Sequence, residues 1–290
     1  MLIDGKKIAE EIQAELKTKI QGITGRKPGL AVILVGDNPA SQLYVNRKAQ
    51  ACEEIGMHSI KRLFPSSITE TELLKEVENL NRNDDIDGIL IQLPLPPQIN
   101  STRVMRSIDP SKDVDGFHPI NVGKLMIGDT DGFVPCTPLG IKALLNRSKI
   151  ELSGKHVVIL GRSNIVGKPL AALLMQNTQD ANATVTVLHS KSKNIPEICR
   201  TADIIVAAMG QPKFITKDMV KPGAVIIDVG TNRIANPSKK SGFELAGDVD
   251  FHHVKEICAW ITPVPGGVGP MTIAMLLSNT WSSYQRRHKV

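Results

Sequence analysis

Residues 155–175, KHVVILGRSNIVGKPLAALLM, restrict the fold of this chain more than any other stretch, because they read as strand, tight turn and helix in direct succession. Residues 157–160 are a short β-branched run suited to a buried strand. The glycines at 161 and 167 bracket a turn, and Pro169 near the start of the apolar run that follows suits the first turn of a helix. Such a corner presents unpaired amides and the positive end of a helix dipole, and glycine lets a pyrophosphate approach the backbone. The alternation continues through runs at 184–188, 204–208 and 224–229, which predicts a parallel sheet covered by helices on both faces.

The turn departs from the G-x-G-x-x-G dinucleotide pattern, with Ser163 in place of the second glycine and Gly167 one position late. An ordinary glycine-rich turn fits those residues as well, and the next strand adds information. It ends in His189-Ser190-Lys191, where an NAD enzyme places an acid on the ribose 2′-hydroxyl. Arg162, Ser163, Ser190 and Lys191 offer cationic and hydroxyl donors instead, and these suit a 2′-phosphate. The expected cofactor is therefore NADP.

A chain of 290 residues with 41% hydrophobic and 22% charged residues is long enough for two domains, each with its own core. No apolar run approaches membrane-spanning length and no signal-peptide core opens the chain, so a soluble, cytoplasmic protein without a membrane partner is expected. Cys52, Cys136, Cys199 and Cys258 are widely spaced, and His252 and His253 are adjacent rather than a helical turn apart. Buried thiols and no metal site are expected. The net charge of +6 is spread among acidic residues and aromatics amount to 3%, which argues against nucleic acid.

In the first half, Ile8, Ile12, Leu16 and Ile20 mark an amphipathic helix ending at Gly22. Residues 29–36 read as a buried strand and 40–55 as a helix, followed by a strand at 59–64 and a helix capped by Thr69 with Glu72 three residues on. Tyr44 and Lys48 share one helix face, and on spacing alone Lys48 fits a solvated surface charge. A strand over 89–93 places Gln92 among apolar neighbours, where it needs a hydrogen-bond partner from the protein or a ligand. Asp113 and Asp115 stand in a turn-like loop. Thr137 and Pro138 read as the cap and first position of the helix leading into the nucleotide domain. Residues 261–270 form a loop dense in glycine and proline before a last helix from Met271 to about Tyr284, either a linker or a set of exposed amides for a ligand.

Five stretches together resemble the bifunctional methylenetetrahydrofolate dehydrogenase/cyclohydrolase family. They are Tyr44-Val-Asn-Arg-Lys48, Gly88-Ile-Leu-Ile-Gln92-Leu-Pro-Leu-Pro96, Lys112-Asp-Val-Asp115-Gly-Phe-His118, Gly161-Arg-Ser-Asn-Ile-Val-Gly-Lys-Pro169 and Pro263-Val-Pro-Gly-Gly-Val-Gly-Pro-Met-Thr272. The resemblance implies NADP-dependent oxidation of 5,10-methylenetetrahydrofolate and hydrolysis of the methenyl product to 10-formyltetrahydrofolate. It implies Lys48, Gln92, Tyr44 and Asp115 as catalytic residues, with Lys48 moving a proton, Gln92 fixing its head and Asp115 binding the pterin edge. Ile91, Leu93, Pro265, Gly266, Gly267, Val268 and Gly269 would line the folate site, and Gly161, Arg162, Ser163, Ser190 and Thr231 the NADP site. Gln50 and Thr231 depart from the lysine and isoleucine common at those positions.

The resemblance further implies tetrahydrofolate derivatives as ligands and a homodimer. The expected architecture is two α/β domains with a cleft between them, the second Rossmann-like and doubly wound. A folate-binding catalytic domain would span 1–138, joined by a closing helix at about 271–290, with the NADP domain at 139–270. A dehydrogenase lacking the hydrolase step should lack Lys48 and Gln92, and a silent NADP-binding scaffold leaves Lys48, Gln92 and Asp115 without a role.

Overall fold

The computed structural model describes residues 1–239 and 242–288, so Lys289 at the basic end of the chain, and residue 290, lie outside the description. The chain divides into two units, Glu10–Cys136 with Ile273–Val290, and Met1–Ala9 with Thr137–Thr272. Their elements run in the order α1 (Gly5–Gln21), β1 (Gly29–Val35), α2 (Pro39–Ile55), β2 (His58–Phe64), α3 (Glu70–Arg82), β3 (Gly88–Ile91), α4 (Ser101–Arg106), α5 (Pro119–Ile127) and α6 (Cys136–Arg147). Then follow β4 (His156–Leu160), α7 (Gly167–Leu174), β5 (Thr184–Leu188), α8 (Ile195–Cys199), β6 (Ile204–Ala207), a 3-10 turn (Lys217–Met219), β7 (Val225–Asp228), β8 (Asn232–Ala235), β9 (Phe243–Ala246), α9 (Phe251–Val254), β10 (Trp260–Ile261) and α10 (Val268–His288).

In the unit built on residues 10–136, three parallel strands stand in the order β2-β1-β3. All seven residues of the central strand β1 are buried, as expected of a strand flanked on both edges and covered on both faces. Its core joins Ala31, Ile33 and Val35 to Ile89 and Ile91 of β3 and to Leu73, Val77 and Leu80 on the apolar stripe of α3. Helix α3 begins as its sequence predicts: the Thr69 side chain accepts from the Glu72 N–H, and the Glu72 carboxylate accepts from the Thr69 N–H. At its other end the fully buried ammonium of Lys112 donates to the carbonyls of Leu80, Asn81 and Asn83 at 2.7–3.0 Å, which satisfies acceptors the helix leaves open. Burial pulls that ammonium down to about 8.

In the other unit five parallel strands follow the order β10-β7-β6-β4-β5, the pattern of crossovers that strand-helix alternation requires. Val158 and Leu160 of β4, Ile205 and Ala207 of β6, Ile226 of β7 and Ile261 of β10 lead a buried cluster that continues outside the sheet at Ile215 and Val249. Three sequence expectations need correction. The glycine turn at 230–232 runs directly into β8, which pairs antiparallel with β9; its alternate half-buried residues carry too weak a period for so short a hairpin to be read from pattern. Thr137 is not a cap, because α6 already starts at Cys136, and Pro138 falls at the third helical position, where its missing N–H is still harmless. Helix α10 starts at Val268, three residues before Met271, for the same reason at Pro270.

A carboxylate without water holds the first of these units together. Asp87, fully buried just before β3, accepts from Arg26 at 2.7 and 2.9 Å, from Arg287 on α10 at 2.9 Å and from the Gly29 N–H at 2.9 Å. Ser283, one turn earlier on α10, donates to the Asp87 carbonyl at 2.6 Å. Replacing Asp87 with Asn removes the charge and leaves two guanidinium groups facing a neutral amide. We expect Asp87→Asn to lower unfolding free energy by about 3 kcal/mol, read as a drop in the denaturant midpoint at constant slope.

Candidate active site

Helix α2 starts with Asn38 accepting from the Ala40 and Ser41 N–H groups, and Pro39 occupies its first position. That start fixes the helical phase. Val45, Ala49 and Cys52 face inward, Tyr44 is about half exposed, and Lys48 sits half-buried one turn after Tyr44. The Lys48 ammonium donates to Gln92 Oε1 at 3.0 Å, joining residues 44 apart in sequence. Gln92 was expected inside a strand; β3 ends at Ile91, so Gln92 lies just past the strand's carboxyl end and is half-buried rather than buried. Its backbone N–H still donates to the Ile33 carbonyl of β1 at 2.9 Å, and its amide nitrogen donates to the Leu93 carbonyl at 2.9 Å. The side-chain oxygen is thereby aimed at the lysine.

Asp115 is half-buried in the loop between α4 and α5. Loss of hydration raises its pKa above the usual carboxylate range, against the pull of the nearby Lys48 charge and a hydrogen bond from Cys136. Lys48 therefore bonds an amide oxygen, and its charge acts on the Asp115 carboxylate. Ile91 is buried in β3, and Leu93 is partly exposed beyond it.

Three residues that sequence reading left without a role fix the Asp115 loop. Asp113 is fully buried and accepts from the N–H groups of Phe117 at 3.3 Å and His118 at 2.8 Å and from the Asn121 amide at 2.9 Å. Burial still pushes it up to about 6. Asn279, from α10, donates to the carbonyls of Val114 at 2.8 Å and Val134 at 3.0 Å. Cys136 is buried, with a thiol raised well above its ordinary value first by burial and then by the Asp115 charge. The signal for Asp113 was its spacing from the turn at Gly116, whose φ of 75° and whose close approach to Pro135 N, 2.6 Å from where a Cβ would stand, admit only glycine. Asn279 had no local signal, because its partners lie more than a hundred residues away.

In the unit carrying the five-stranded sheet, the turn after β4 brings Gly161 against the end of β6. A Cβ there would stand 2.3 Å from the Ala208 carbonyl oxygen, and its φ is 129°. Gly167 opens α7 with equally little room, 2.1 Å from the Gly161 carbonyl oxygen. Ser163, in place of a second glycine, ties the turn to the start of α7 by accepting from the Val166 and Gly167 N–H groups at 3.1 and 3.4 Å. Arg162 is exposed beside it, and Ser190 and Lys191 are exposed in the turn after β5, with no acid between Leu188 and Asn194. These groups fit an anionic, 2′-phosphorylated dinucleotide at the carboxyl ends of the strands.

Thr231 is exposed after β7. Pro265 and Gly266 lie in the turn before α10, while Val268 and Gly269 belong to its first turn. Gly267 is required by contact: a Cβ would lie 2.6 Å from the Pro263 carbonyl oxygen, and a Cβ on Gly5 would lie 1.9 Å from the Gly267 carbonyl oxygen. Among the described residues no group of three or more His, Cys, Asp and Glu side chains is arranged to hold a metal ion.

Residues 3–115 match the catalytic-domain model of the tetrahydrofolate dehydrogenase/cyclohydrolase family, and residues 135–288 match its NAD(P)-binding-domain model. The chain is 63% identical over 286 residues to the bifunctional protein FolD of Protochlamydia amoebophila, covering 99% of this chain and 98% of that protein. The crystal structure of the bifunctional FolD enzyme of Campylobacter jejuni superposes with a TM-score of 0.93 at 50% identity, over 99% of both chains. The Trypanosoma brucei methylenetetrahydrofolate dehydrogenase-cyclohydrolase, solved with NADP cofactor and inhibitor, gives 0.93 at 41% identity, over 100% of this chain and 99% of that one.

Because the Lys48 charge lowers the Asp115 pKa, removing it must let that pKa climb further. We expect the Asp115 carboxyl to titrate above the ordinary carboxylate range in the native protein and higher again in Lys48→Met, measured by carbon-detected NMR titration of side-chain carboxyls.

Proposed function

Since the chain belongs to the tetrahydrofolate dehydrogenase/cyclohydrolase family, we propose that Lys48, Gln92, Tyr44 and Asp115 serve its folate chemistry and that Gly161, Arg162, Ser163, Ser190 and Thr231 serve its cofactor. The protein is a bifunctional enzyme that uses NADP to oxidise 5,10-methylenetetrahydrofolate to 5,10-methenyltetrahydrofolate and then hydrolyses this to 10-formyltetrahydrofolate.

The observation that carries the residue assignment is the Lys48–Gln92 hydrogen bond of 3.0 Å beside a carboxylate that senses the lysine charge. When bound, NADP⁺ accepts the hydride. That step leaves a cationic amidinium carbon on the folate and requires no proton to be removed, so the protein's task is to hold two flat rings in register. Asp115 accepts hydrogen bonds from the amino-pyrimidine edge of the pterin, and Tyr44, Ile91, Leu93 and the segment Pro265, Gly266, Gly267, Val268 and Gly269 contact the folate. Hydrolysis demands more. A water must lose a proton as it attacks the methenyl carbon, and a ring nitrogen must gain one as the C–N bond breaks. Lys48 takes a proton from the attacking water and delivers one to the nitrogen, the hydroxyl proton of the tetrahedral adduct passes to solvent as its carbonyl forms, and Gln92 Oε1 keeps the amine head oriented between the transfers. A side-chain amide suits that role because it neither competes for the proton nor carries charge.

Arg162 and Ser190 bind the 2′-phosphate, and the turn between Gly161 and Gly167 receives the pyrophosphate at the start of α7. Among the described residues no helix is long and apolar enough to cross a membrane. The functional form proposed is a cytoplasmic homodimer, as the family resemblance implies, acting on tetrahydrofolate derivatives without nucleic acid.

Lys48→Met keeps the stem and removes the ammonium head, and separates the two activities. NADPH production should persist at a reduced rate, while enzyme-dependent loss of added methenyltetrahydrofolate, corrected for its spontaneous hydrolysis, should disappear. Equal loss of both in a folded, NADP-binding variant would make Lys48 a substrate-positioning residue only. Arg162→Ala should weaken NADP by roughly 1.5 to 3 kcal/mol and NAD hardly at all, measured as the ratio of kcat/KM for the two cofactors; equal losses would show that Arg162 does not read the 2′-phosphate.

A further inference from the structure

Two carboxylates stand fully buried where β6, β7 and β9 end, and neither belongs to the residues assigned above. Asp228, the last residue of β7, accepts on Oδ1 from the N–H groups of Gly230 at 2.9 Å and Asp248 at 2.8 Å, and on Oδ2 from that of Val249 at 3.0 Å. Asp248 accepts on Oδ2 from the N–H groups of Met209 at 2.6 Å and Gly210 at 2.8 Å, and on Oδ1 from the Asn232 amide at 2.8 Å. The Asp228 N–H in turn donates to Thr262 Oγ1 at 2.8 Å, just before the Pro263–Gly269 stretch. One network therefore ties the loops after β6 and β7 and the start of the glycine-proline segment. Thr231, exposed between them, is held on one side by Gly230 on Asp228 and on the other by Asn232 on Asp248.

The network accounts for two glycines. A Cβ on Gly230 would lie 2.4 Å from Asp248 Oδ1, and one on Gly247 would lie 1.8 Å from Asp228 Oδ2. The same carboxylates tie the Met209 and Gly210 N–H groups to the backbone and side chain that flank Thr231, Gly230 N–H and the Asn232 amide. Ligands of a parallel sheet bind beyond the carboxyl ends of its strands. With the adenine half of the cofactor on the turns after β4 and β5, the loops after β6 and β7 remain for the nicotinamide half.

We propose that Asp248 is a positioning residue for the nicotinamide half of the NADP site, holding the loops at Met209-Gly210 and Thr231 in register through its two oxygens without touching the cofactor. This rests on the NADP assignment made above. Asp248→Asn keeps the shape but turns one oxygen into a donor, which must face either two N–H groups or the Asn232 amide. The loops then separate, while the turns after β4 and β5 stay in place.

The test measures the KM for NADP at saturating folate, inhibition by adenosine 2′,5′-bisphosphate as a probe of the adenine half, and NADP-independent hydrolysis of methenyltetrahydrofolate. For Asp248→Asn the KM for NADP should rise about tenfold or more, while the inhibition constant and the hydrolysis rate stay within about twofold of the unaltered enzyme. An unchanged KM overturns the proposal. Parallel loss of bisphosphate affinity also overturns it, since Asp248 would then merely hold the domain together. If Asp248→Asn does not fold, Asn232→Ala, which strips one partner from Asp248 Oδ1 at a half-buried position, decides on the same measurements: a raised KM with unchanged inhibition supports the proposal and an unchanged KM ends it. Should the unaltered enzyme show no inhibition by the bisphosphate, the adenine-side assignment itself has failed, a result separate from any change at Asp248.

Discussion

A carboxylate that has lost its water must be met by donors, and in this protein the donors that meet it belong largely to the loops that matter. Asp228 and Asp248 are each met mainly by backbone N–H groups just beyond the ends of strands, and Asp113 by those of Phe117 and His118 at the start of α5. Backbone at a strand's carboxyl end has left the ladder and has no repeating partner, so it would otherwise be held only by water. A short acidic side chain supplies two fixed acceptors there and replaces water with geometry. Burial makes Asp113 and Asp228 harder to ionise, and both are pushed up to about 6 even with their donors in place. The protein bears that penalty where a loop must not move.

Under the residue assignment proposed above, the two units divide the chemistry by the kind of control each step needs. Hydride transfer is a matter of alignment, and the five-stranded sheet provides aligned backbone: glycine at Gly161 and Gly167, a turn closed by the Ser163 hydroxyl and loops pinned by carboxylates. Hydrolysis is a matter of proton movement, and the three-stranded sheet provides an amine, an amide and a carboxylate within one electrostatic neighbourhood. Lys48 and Gln92 meet because α2 follows β1 while β3 lies beside β1, so the end of β3 comes under the helix that β1 launches. Asp115 arrives by another route, on a loop that Lys112 anchors to the end of α3 and Asn279 clamps from α10.

What could be read locally was read well where the signal and its partner lie within a few residues. Thr69 and Glu72 are a capping box in the sequence and in the structure, because both halves of the contact sit on one turn. The strand at β4 and the glycine turn after it are equally local. Thr137 misled for an instructive reason: a cap-like residue before proline describes a helix start only if nothing outside the helix selects an earlier one, and Cys136 is buried against the Asp115 loop. The β8–β9 hairpin escaped because strands of four residues, none of them buried, are too short to show a period. Lys48 carried no chemical mark of its own, and only the resemblance across five stretches lifted it above a surface charge.

The sequence by itself determined the alternation of strands and helices, the parallel sheets that follow from it, the glycine turn after β4 and, through motif order, the family. These depend on side-chain periodicity and turn chemistry, which act over a handful of residues. Tertiary structure alone decided which oxygen faces the Lys48 ammonium, that Asp113 and Asn279 hold the Asp115 loop, and that Asp228 and Asp248 lock the loops around Thr231. Three of those contacts join residues 39, 44 and 165 positions apart, Met209 with Asp248, Lys48 with Gln92 and Val114 with Asn279. No periodicity spans such distances; strand order and burial bring the partners together, and the cost of an unpaired buried charge then selects the pairing.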